Sequence, residues 1–141
     1  MVDRQGIIDH LRELEASLQD WEKYRGTVSL EDLKKDRDKR NMVLHAMLVA
    51  IQAAIDAASH IIAENRLRKP SSYREGFEVL AEGALLPKDM AQELADLAGF
   101  RNVLVHIYWR LNLDEVHAVL RDGTAVLQRF LRHVKGLLQE V

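Results

Sequence analysis

The stretch MVLHAMLVAIQAAIDAASHIIA, residues 42–63, decides the fold of this chain. Its large apolar residues recur at intervals of three and four, the period of a helix that turns one face into a core. They are Leu44, Met47, Leu48, Ile51, Ile55, Ala58 and Ile62. Further alanines cover much of the remaining surface, so neighbouring helices can approach it closely. A helix that is apolar most of the way round is expected at the centre of a helical domain.

One polar line crosses this apolar segment. Gln52, Asp56 and His60 follow one another at intervals of four, so they share one side of the predicted helix. The line is either a partly exposed seam between helices or a set of side chains that supports a functional surface on another helix.

Residues 100–109, FRNVLVHIYW, form the second informative stretch. On a helical wheel, Phe100, Val103, Leu104 and Ile107 fall on one side, which Leu97 and Leu111 extend into a core stripe. The opposite arc, roughly 160° wide, holds Arg101, Asn102, Val105, His106, Tyr108 and Trp109. A solvated face would carry Lys and Glu instead. This face is half apolar and carries reactive groups, so we expect another molecule to cover it.

Composition indicates one soluble helical domain over residues 1–141. Hydrophobic residues make up 48% and charged residues 30%, with two prolines and abundant Ala and Leu. The net charge of −2 excludes a general nucleic-acid coat, so any RNA contact must be a local patch. The chain has no cysteine for disulfides or thiolate metal sites. A charged start and the lack of about 18 uninterrupted apolar residues favour the cytoplasm.

The remaining periodic segments predict an all-α, antiparallel four-helix bundle with an additional short helix. Helix one runs from a cap at Asp3 to about Tyr24. Ser29 opens a charged segment over 30–41, which is either a solvated helix or brings Arg37 or Arg40 to a phosphate at a cleft.

The other helix boundaries come from capping residues. Ser72, with Glu75 three residues later, starts a helix whose apolar side includes Tyr73 and Phe77. Pro87 starts the helix that enters residues 100–109. Residues 112–114 form the next cap region, and the last helix extends from there toward the C-terminus, with a kink predicted at Gly123. Three histidines are interpreted as ordinary surface or seam residues: His10, His117 and His133.

Arg101, Asn102, His106 and Tyr108 resemble, in type and spacing, the motif of the HEPN superfamily in its HepT toxin form. Residues 42–63 resemble the second helix of that family, and the resemblance spans about residues 30–120. It implies a homodimeric HEPN bundle that acts as a toxin and cleaves RNA without a metal or a cofactor. In such a dimer, Val105 and Trp109 would pack against the second copy while the polar residues line the groove.

The chemistry of the residues fits that activity. A histidine titrates near neutral pH, so His106 can take a proton from a ribose 2′-hydroxyl or give one to the leaving oxygen. Arg101 supplies a planar cation for the charge that grows on the phosphate. Asn102 can orient the imidazole or bind phosphate. Attack by a 2′-hydroxyl makes RNA, and not DNA, the substrate.

The resemblance also implies a partner, an MNT-type nucleotidyltransferase antitoxin that AMPylates Tyr108. Alternatively, Tyr108 only positions RNA, or the antitoxin acts by binding alone. A different class of function stays open as well, in which the chain is a non-catalytic, helical partner-binding or accessory subunit of a nucleotidyltransferase.

Overall fold

The computed structural model describes residues 4–139, with Tyr108 described by its backbone only. The predicted cap at Asp3 therefore lies outside the described residues. Within residues 4–139, the elements are α1 (Arg4–Thr27), α2 (Leu30–Lys35), α3 (Arg37–Glu64), α4 (Tyr73–Glu82), α5 (Lys88–His106), a 3-10 turn (Tyr108–Arg110), α6 (Leu113–Asp122) and α7 (Thr124–Gln139).

The four long helices α1, α3, α5 and α7 form the predicted antiparallel bundle. α1 packs along α3, α7 packs against α1 and α5, and α3 contacts both α5 and α7. α4 pairs with α5 and also touches α3, while the short helices α2 and α6 pack on each other. This arrangement puts α3 and the second half of α5 side by side, which positions the polar residues of both helices together.

α3 is the central helix, as its sequence predicts. By length and composition alone it could cross a membrane, but the bundle buries most of its apolar stretch. The buried side chains come from nearly all sides of the helix, which is why its alanines matter. Large residues at those positions would push α1, α5 and α7 apart.

The charged segment 30–41 is two helices and not one. Asp36 ends α2 and caps α3, because its Oδ1 accepts hydrogen bonds from the amides of Asp38 and Lys39 at 3.0 and 3.1 Å. Arg40 donates from Nη1 to the carbonyl oxygen of Leu33 at 3.1 Å, so it closes the end of α2. Arg37 is exposed, and neither arginine lines the cavity beside Arg101.

α5 ends at His106, so the prediction of a continuous helix through residue 109 is wrong. Ile107 leaves helical geometry with φ −133° and ψ 37°, and a 3-10 turn follows. Ile107 was expected in the core, but 41% of it is exposed. β-branched and aromatic residues with modest helix propensity occupy 107–109. Asn112 then caps α6 through Oδ1, which accepts from the amide of Glu115 at 3.2 Å.

The last helix is also divided, into α6 and α7, at the predicted kink residue Gly123. A Cβ atom there would lie 2.8 Å from Cζ2 of Trp21 and 2.8 Å from the carbonyl oxygen of Val119. Trp21 is fully buried, and its indole N–H donates to the carbonyl oxygen of Leu120 at 2.9 Å. Glycine is therefore required here because the indole ring approaches the backbone closely.

Candidate functional site

Arg101 is held by residues of two other helices. Its Nε donates to Oε1 of Gln52 at 2.9 Å, and Nε2 of Gln52 donates to Oδ1 of Asp56 at 2.9 Å. Arg101 and Gln52 are both half-buried, so water competes less with this chain of hydrogen bonds. Both predictions for the polar line on α3 are compatible with these contacts, since Gln52 and Asp56 are half-buried and also support Arg101 on α5.

Two further contacts fix the plane of the Arg101 guanidinium. Nη1 donates to Oδ1 of Asn102 at 3.1 Å, and Cζ lies 5.2 Å from the centroid of the Tyr73 ring. A guanidinium over a phenol ring is attracted to the negative charge of the ring face. Tyr73, predicted on the apolar side of α4, is 42% exposed and belongs to this site instead.

A cavity of about 710 Å³ opens beside Arg101 between α3, α4 and α5. Its floor is apolar, formed largely by Ile55, Ala58, Ile62 and Phe77, and Arg101, Asn102 and His106 line the same space. His106 is exposed at the last position of α5. The structure thus brings three of the four predicted motif residues around one cavity.

Electrostatics of this cavity favour an anionic ligand. Lys69 and Arg101 line it, whereas no Asp or Glu side chain is among its described lining residues. A concave site with one sign of charge concentrates ligands of the opposite sign. Elsewhere in residues 4–139, no three His, Asp or Glu side chains come together as a set of metal ligands.

His60 lies apart from the Arg101 contacts. Its ring packs edge-on against that of His10, with centroids 4.8 Å apart and planes at 65°, so His60 takes part in the contact between α1 and α3. A second hollow of about 460 Å³ lies on the other side of Arg101 and is lined by His10, Asp56 and Val105, among others. The structure therefore does not bring the predicted supporting residue His60 to the Arg101 cavity.

Tyr108 follows α5 by two residues and starts the 3-10 turn. Because α5 has already ended, the wheel angle that related Tyr108 to Arg101 does not apply. The backbone places Tyr108 next to the His106 end of α5. Its neighbours Val105 and Trp109 are 39% and 67% exposed, as predicted.

The segment between α3 and α4 forms one wall of the cavity, and sequence reasoning missed it. Arg68 donates from Nε and Nη2 to the two carboxylate oxygens of Glu82, both at 2.9 Å, and from Nη1 to Glu75. Glu75 also accepts from the amide and hydroxyl of Ser71. These bonds, first those from Arg68 and then those from Ser71, lower the pKa of Glu75 to about 2.

The same cluster corrects one detail of the predicted cap of α4. Ser72 caps the helix as expected, since its hydroxyl accepts from the amide of Glu75 at 3.1 Å. In a capping box the Glu75 carboxylate would accept from the amide of Ser72, but here it accepts from Arg68 and Ser71. These bonds hold the segment between α3 and α4, which includes Lys69, against α4. The sequence pattern did not show the contact of Arg68 with Glu82, because these residues lie far apart in the chain and meet only when α4 has folded.

Comparison with known proteins identifies the family of the chain. The sequence profile of the family described as "Ribonuclease HepT-like" matches residues 14–134. The chain is 31% identical over 103 residues to "mRNA nuclease HepT" of Shewanella oneidensis, covering 73% of this chain and 77% of that protein. It is 24% identical over 131 residues to "tRNA nuclease HepT" of Aphanizomenon flos-aquae, covering 93% and 82%.

A solved structure is similar over nearly the whole chain. It is the tri-AMPylated HEPN toxin of Shewanella oneidensis in complex with MNT antitoxin. The TM-score is 0.84 at 28% identity, and the match covers 96% of this chain and 99% of that one. The family profile matches residues 14–134, which is most of the chain, and the fold is that of the solved HEPN toxin. The chain therefore belongs to the ribonuclease HepT-like family.

Proposed function

We propose that this protein is the toxin of a HEPN/MNT toxin–antitoxin pair and a cytoplasmic, metal-independent endoribonuclease. The observation that carries the proposal is the fixed position of Arg101 on a cavity that also exposes His106 and whose described lining residues include no Asp or Glu. The nuclease names of similar proteins from Shewanella and Aphanizomenon support the same activity.

The reaction follows from the groups present. The imidazole of His106 takes the proton of a ribose 2′-hydroxyl, and the 2′-oxygen attacks the adjacent phosphorus. The bond from phosphorus to the 5′-oxygen of the next nucleotide breaks, and that oxygen leaves with a proton from an acid. The products are a 2′,3′-cyclic phosphate and a 5′-hydroxyl. Arg101 stabilises the extra negative charge on the phosphoryl oxygens, and DNA lacks the required hydroxyl.

One imidazole serves poorly as base and acid in the same step. A homodimer supplies a second His106 and a second Arg101 across the groove, so one copy gives the base and the other the acid. Val105 and Trp109, which are exposed beside His106, provide apolar surface for that contact.

The antitoxin is an MNT-type nucleotidyltransferase that transfers AMP from ATP to Tyr108. The tri-AMPylated state of the Shewanella toxin supports such a modification. Each AMP unit adds negative charge and bulk at the His106 end of α5, where the RNA phosphate must enter. Cleavage then stops without unfolding of the toxin.

RNA cleavage by the purified protein, in the presence of EDTA, tests the function. Wild type should cleave single-stranded RNA and leave 2′,3′-cyclic phosphate ends. His106→Ala and Arg101→Ala should each lose about 10²–10⁴ in rate while keeping their helical spectra. His117→Ala, at a histidine outside the cavity, is the control and should retain the wild-type rate.

Two results would contradict the proposal. Cleavage that requires magnesium would remove the mechanism. A wild type that has no RNase activity, but that binds the nucleotidyltransferase and is modified by it, would instead favour the accessory-subunit function.

Sedimentation tests the dimer. Trp109→Glu should be monomeric and inactive, whereas Ala125→Glu, which adds the same charge at an exposed site on α7, should stay dimeric.

A further inference from the structure

We propose that the Arg101 cavity binds one unpaired nucleobase of the RNA, the base of a nucleotide that adjoins the scissile phosphate, and that Tyr73 is its stacking residue. This inference rests on the proposed function and adds a substrate subsite to it. It concerns the apolar lining of the cavity, which has no role in the cleavage reaction proposed above.

The shape and lining of the cavity fit a base better than a phosphate. Its volume of about 710 Å³ lies in the range of about 300–1,000 Å³ that is typical of small-molecule sites. The floor formed by Ile55, Ile62 and Phe77 is apolar, so it offers nothing to an anion and favours a flat, weakly polar ring. Lys69 and Arg101 line the same cavity and add two cationic groups to this apolar surface.

Tyr73 provides an aromatic ring beside the cationic group of Arg101. It lines the cavity and is 42% exposed, so its ring is accessible to a ligand. Its ring lies against the Arg101 guanidinium, with 5.2 Å from Cζ to the ring centroid. Single-stranded RNA is recognised by stacking its bases on aromatic rings and on guanidinium planes, and here both stand together.

Polar groups for the edge of the base are also present. Asn102 uses Oδ1 to accept from Arg101, so its amide N–H groups are the part that can be offered to a base. The hydroxyl of Ser59 donates to the carbonyl oxygen of Ile55 at 3.1 Å, which leaves its oxygen as an acceptor. A phosphate on Arg101 and a base against Tyr73 would therefore belong to neighbouring parts of one strand.

A direct consequence is selectivity for unpaired RNA. A base inside a duplex is stacked and paired, so it would have to leave the helix before it could enter the cavity, at a cost in free energy. The subsite adds base recognition to the charge of Lys69 and Arg101, in a chain whose net charge is −2.

Binding without cleavage gives the first test. The His106→Ala protein is titrated into short single-stranded RNAs that carry the fluorescent base 2-aminopurine at each position in turn. We expect quenching at one position, and Tyr73→Leu in the same background should abolish it and weaken binding about tenfold. Tyr73→Phe and Tyr73→Trp, which keep a ring, should retain both. RNA that binds with unchanged fluorescence at every position would overturn the subsite.

Cavity filling is the second arm of the binding test. Ser59 is exposed on α3 and lines the cavity, so Ser59→Phe can place a ring in that space without disturbing the core. Ser59→Phe should remove the quenching, and Ser59→Ala is the matched control that should keep it. Equal quenching in the two variants would also overturn the proposal.

Cleavage kinetics separate base binding from mere support of Arg101. Wild type and Tyr73→Leu are compared on an RNA with a mapped cleavage site and on versions with an abasic ribose on either side of it. On the intact RNA, Tyr73→Leu should lower kcat/KM about tenfold relative to wild type. On the abasic RNA that lacks the bound base, wild type and Tyr73→Leu should have the same kcat/KM, because there is no base left to stack. The same loss on all versions would make Tyr73 only a positioning residue for Arg101. That result would overturn the subsite and leave the ribonuclease proposal intact.

Discussion

Nε of Arg101 donates a 2.9 Å hydrogen bond to Oε1 of Gln52, and this bond joins α5 to α3 across 49 positions of the chain. Gln52 is in turn held by Asp56, one helical turn further along α3. The central helix, whose main role is to fill the core, therefore also sets where the Arg101 guanidinium lies.

Loss of this anchor should reduce cleavage without reducing stability. In Gln52→Leu, the guanidinium keeps its charge but loses the bond that fixes Nε, so we expect kcat to fall about 10- to 100-fold with little change in KM. Gln5→Leu is a matched control, because Gln5 makes the same kind of bond to Asp9 on the exposed side of α1. An unchanged kcat in Gln52→Leu would mean that Tyr73 and Asn102 suffice to hold Arg101.

Modification of Tyr108 can be read by intact mass after co-expression with the nucleotidyltransferase. Wild type should gain the mass of one or more AMP units and lose RNase activity, because the added phosphates repel RNA at the end of α5. Tyr108→Phe should gain nothing and should remain toxic. If the adduct persists in Tyr108→Phe but disappears in Tyr24→Phe or Tyr73→Phe, the modified residue is Tyr24 or Tyr73, and the assignment to Tyr108 is wrong.

Gly123 should be among the least replaceable glycines of the chain. In Gly123→Ala the new methyl group would meet the Trp21 ring and a backbone oxygen at 2.8 Å, so we expect a loss of about 1–3 kcal/mol in the free energy of unfolding. Gly136→Ala is the control on α7, where a Cβ meets nothing within 4 Å. It should gain about 0.5–1 kcal/mol through helix propensity. Urea denaturation measures both, and equal effects would contradict the steric account.

The cluster of Arg68, Ser71, Glu75 and Glu82 in the cavity wall should contribute less to the stability of the fold in acid. The bonds from Arg68 and Ser71 lower the pKa of Glu75 from 4.5 to about 2. A lowered pKa in the folded state contributes stability above pH 4.5, and that contribution is lost as the pH falls from 4.5 through 2.

Glu75→Gln should therefore be less stable than wild type at neutral pH, and the difference should shrink as the pH falls below 4.5 and vanish below pH 2. Glu78→Gln, at an exposed position of the same helix, serves as the control. Urea unfolding at a series of pH values gives the comparison, and high salt should reduce the effect because the cluster is exposed. A difference that does not change with pH would mean that the carboxylate contributes only through packing.

The fold could be predicted from the sequence wherever one physical signal dominated. The spacing of apolar residues placed Leu104 and Phe100 in the core and identified α3 as central, since burial follows helical period. The caps at Ser29 and Ser72 were predicted because the capping residues are local to the helix start. The division at Asp36 was missed, since nine charged residues gave no apolar period to interrupt.

The site could be predicted only in part, for a physical reason. Arg101, Asn102 and His106 belong to one helix, so their spacing alone brings them to one cavity. Periodicity predicts which residues share a face of a helix, but it does not predict the residue at which the helix ends. Ile107 and Tyr108 were therefore assigned to faces of α5, although α5 ends at His106. Tyr73 meets Arg101 only through the packing of α4 on α5, and no signal within either segment records that contact.

The apolar surface of α3 has a consequence for synthesis of the protein. α1 precedes it and can cover one side as soon as both have left the ribosome, but α5 and α7 are made later. During that interval α3 is only partly covered, and an 18-residue window of it matches a membrane span by length and composition. Such transiently exposed apolar surface favours aggregation and chaperone binding. Products that end before α5 would therefore leave part of the apolar surface of α3 uncovered and be prone to aggregation or degradation.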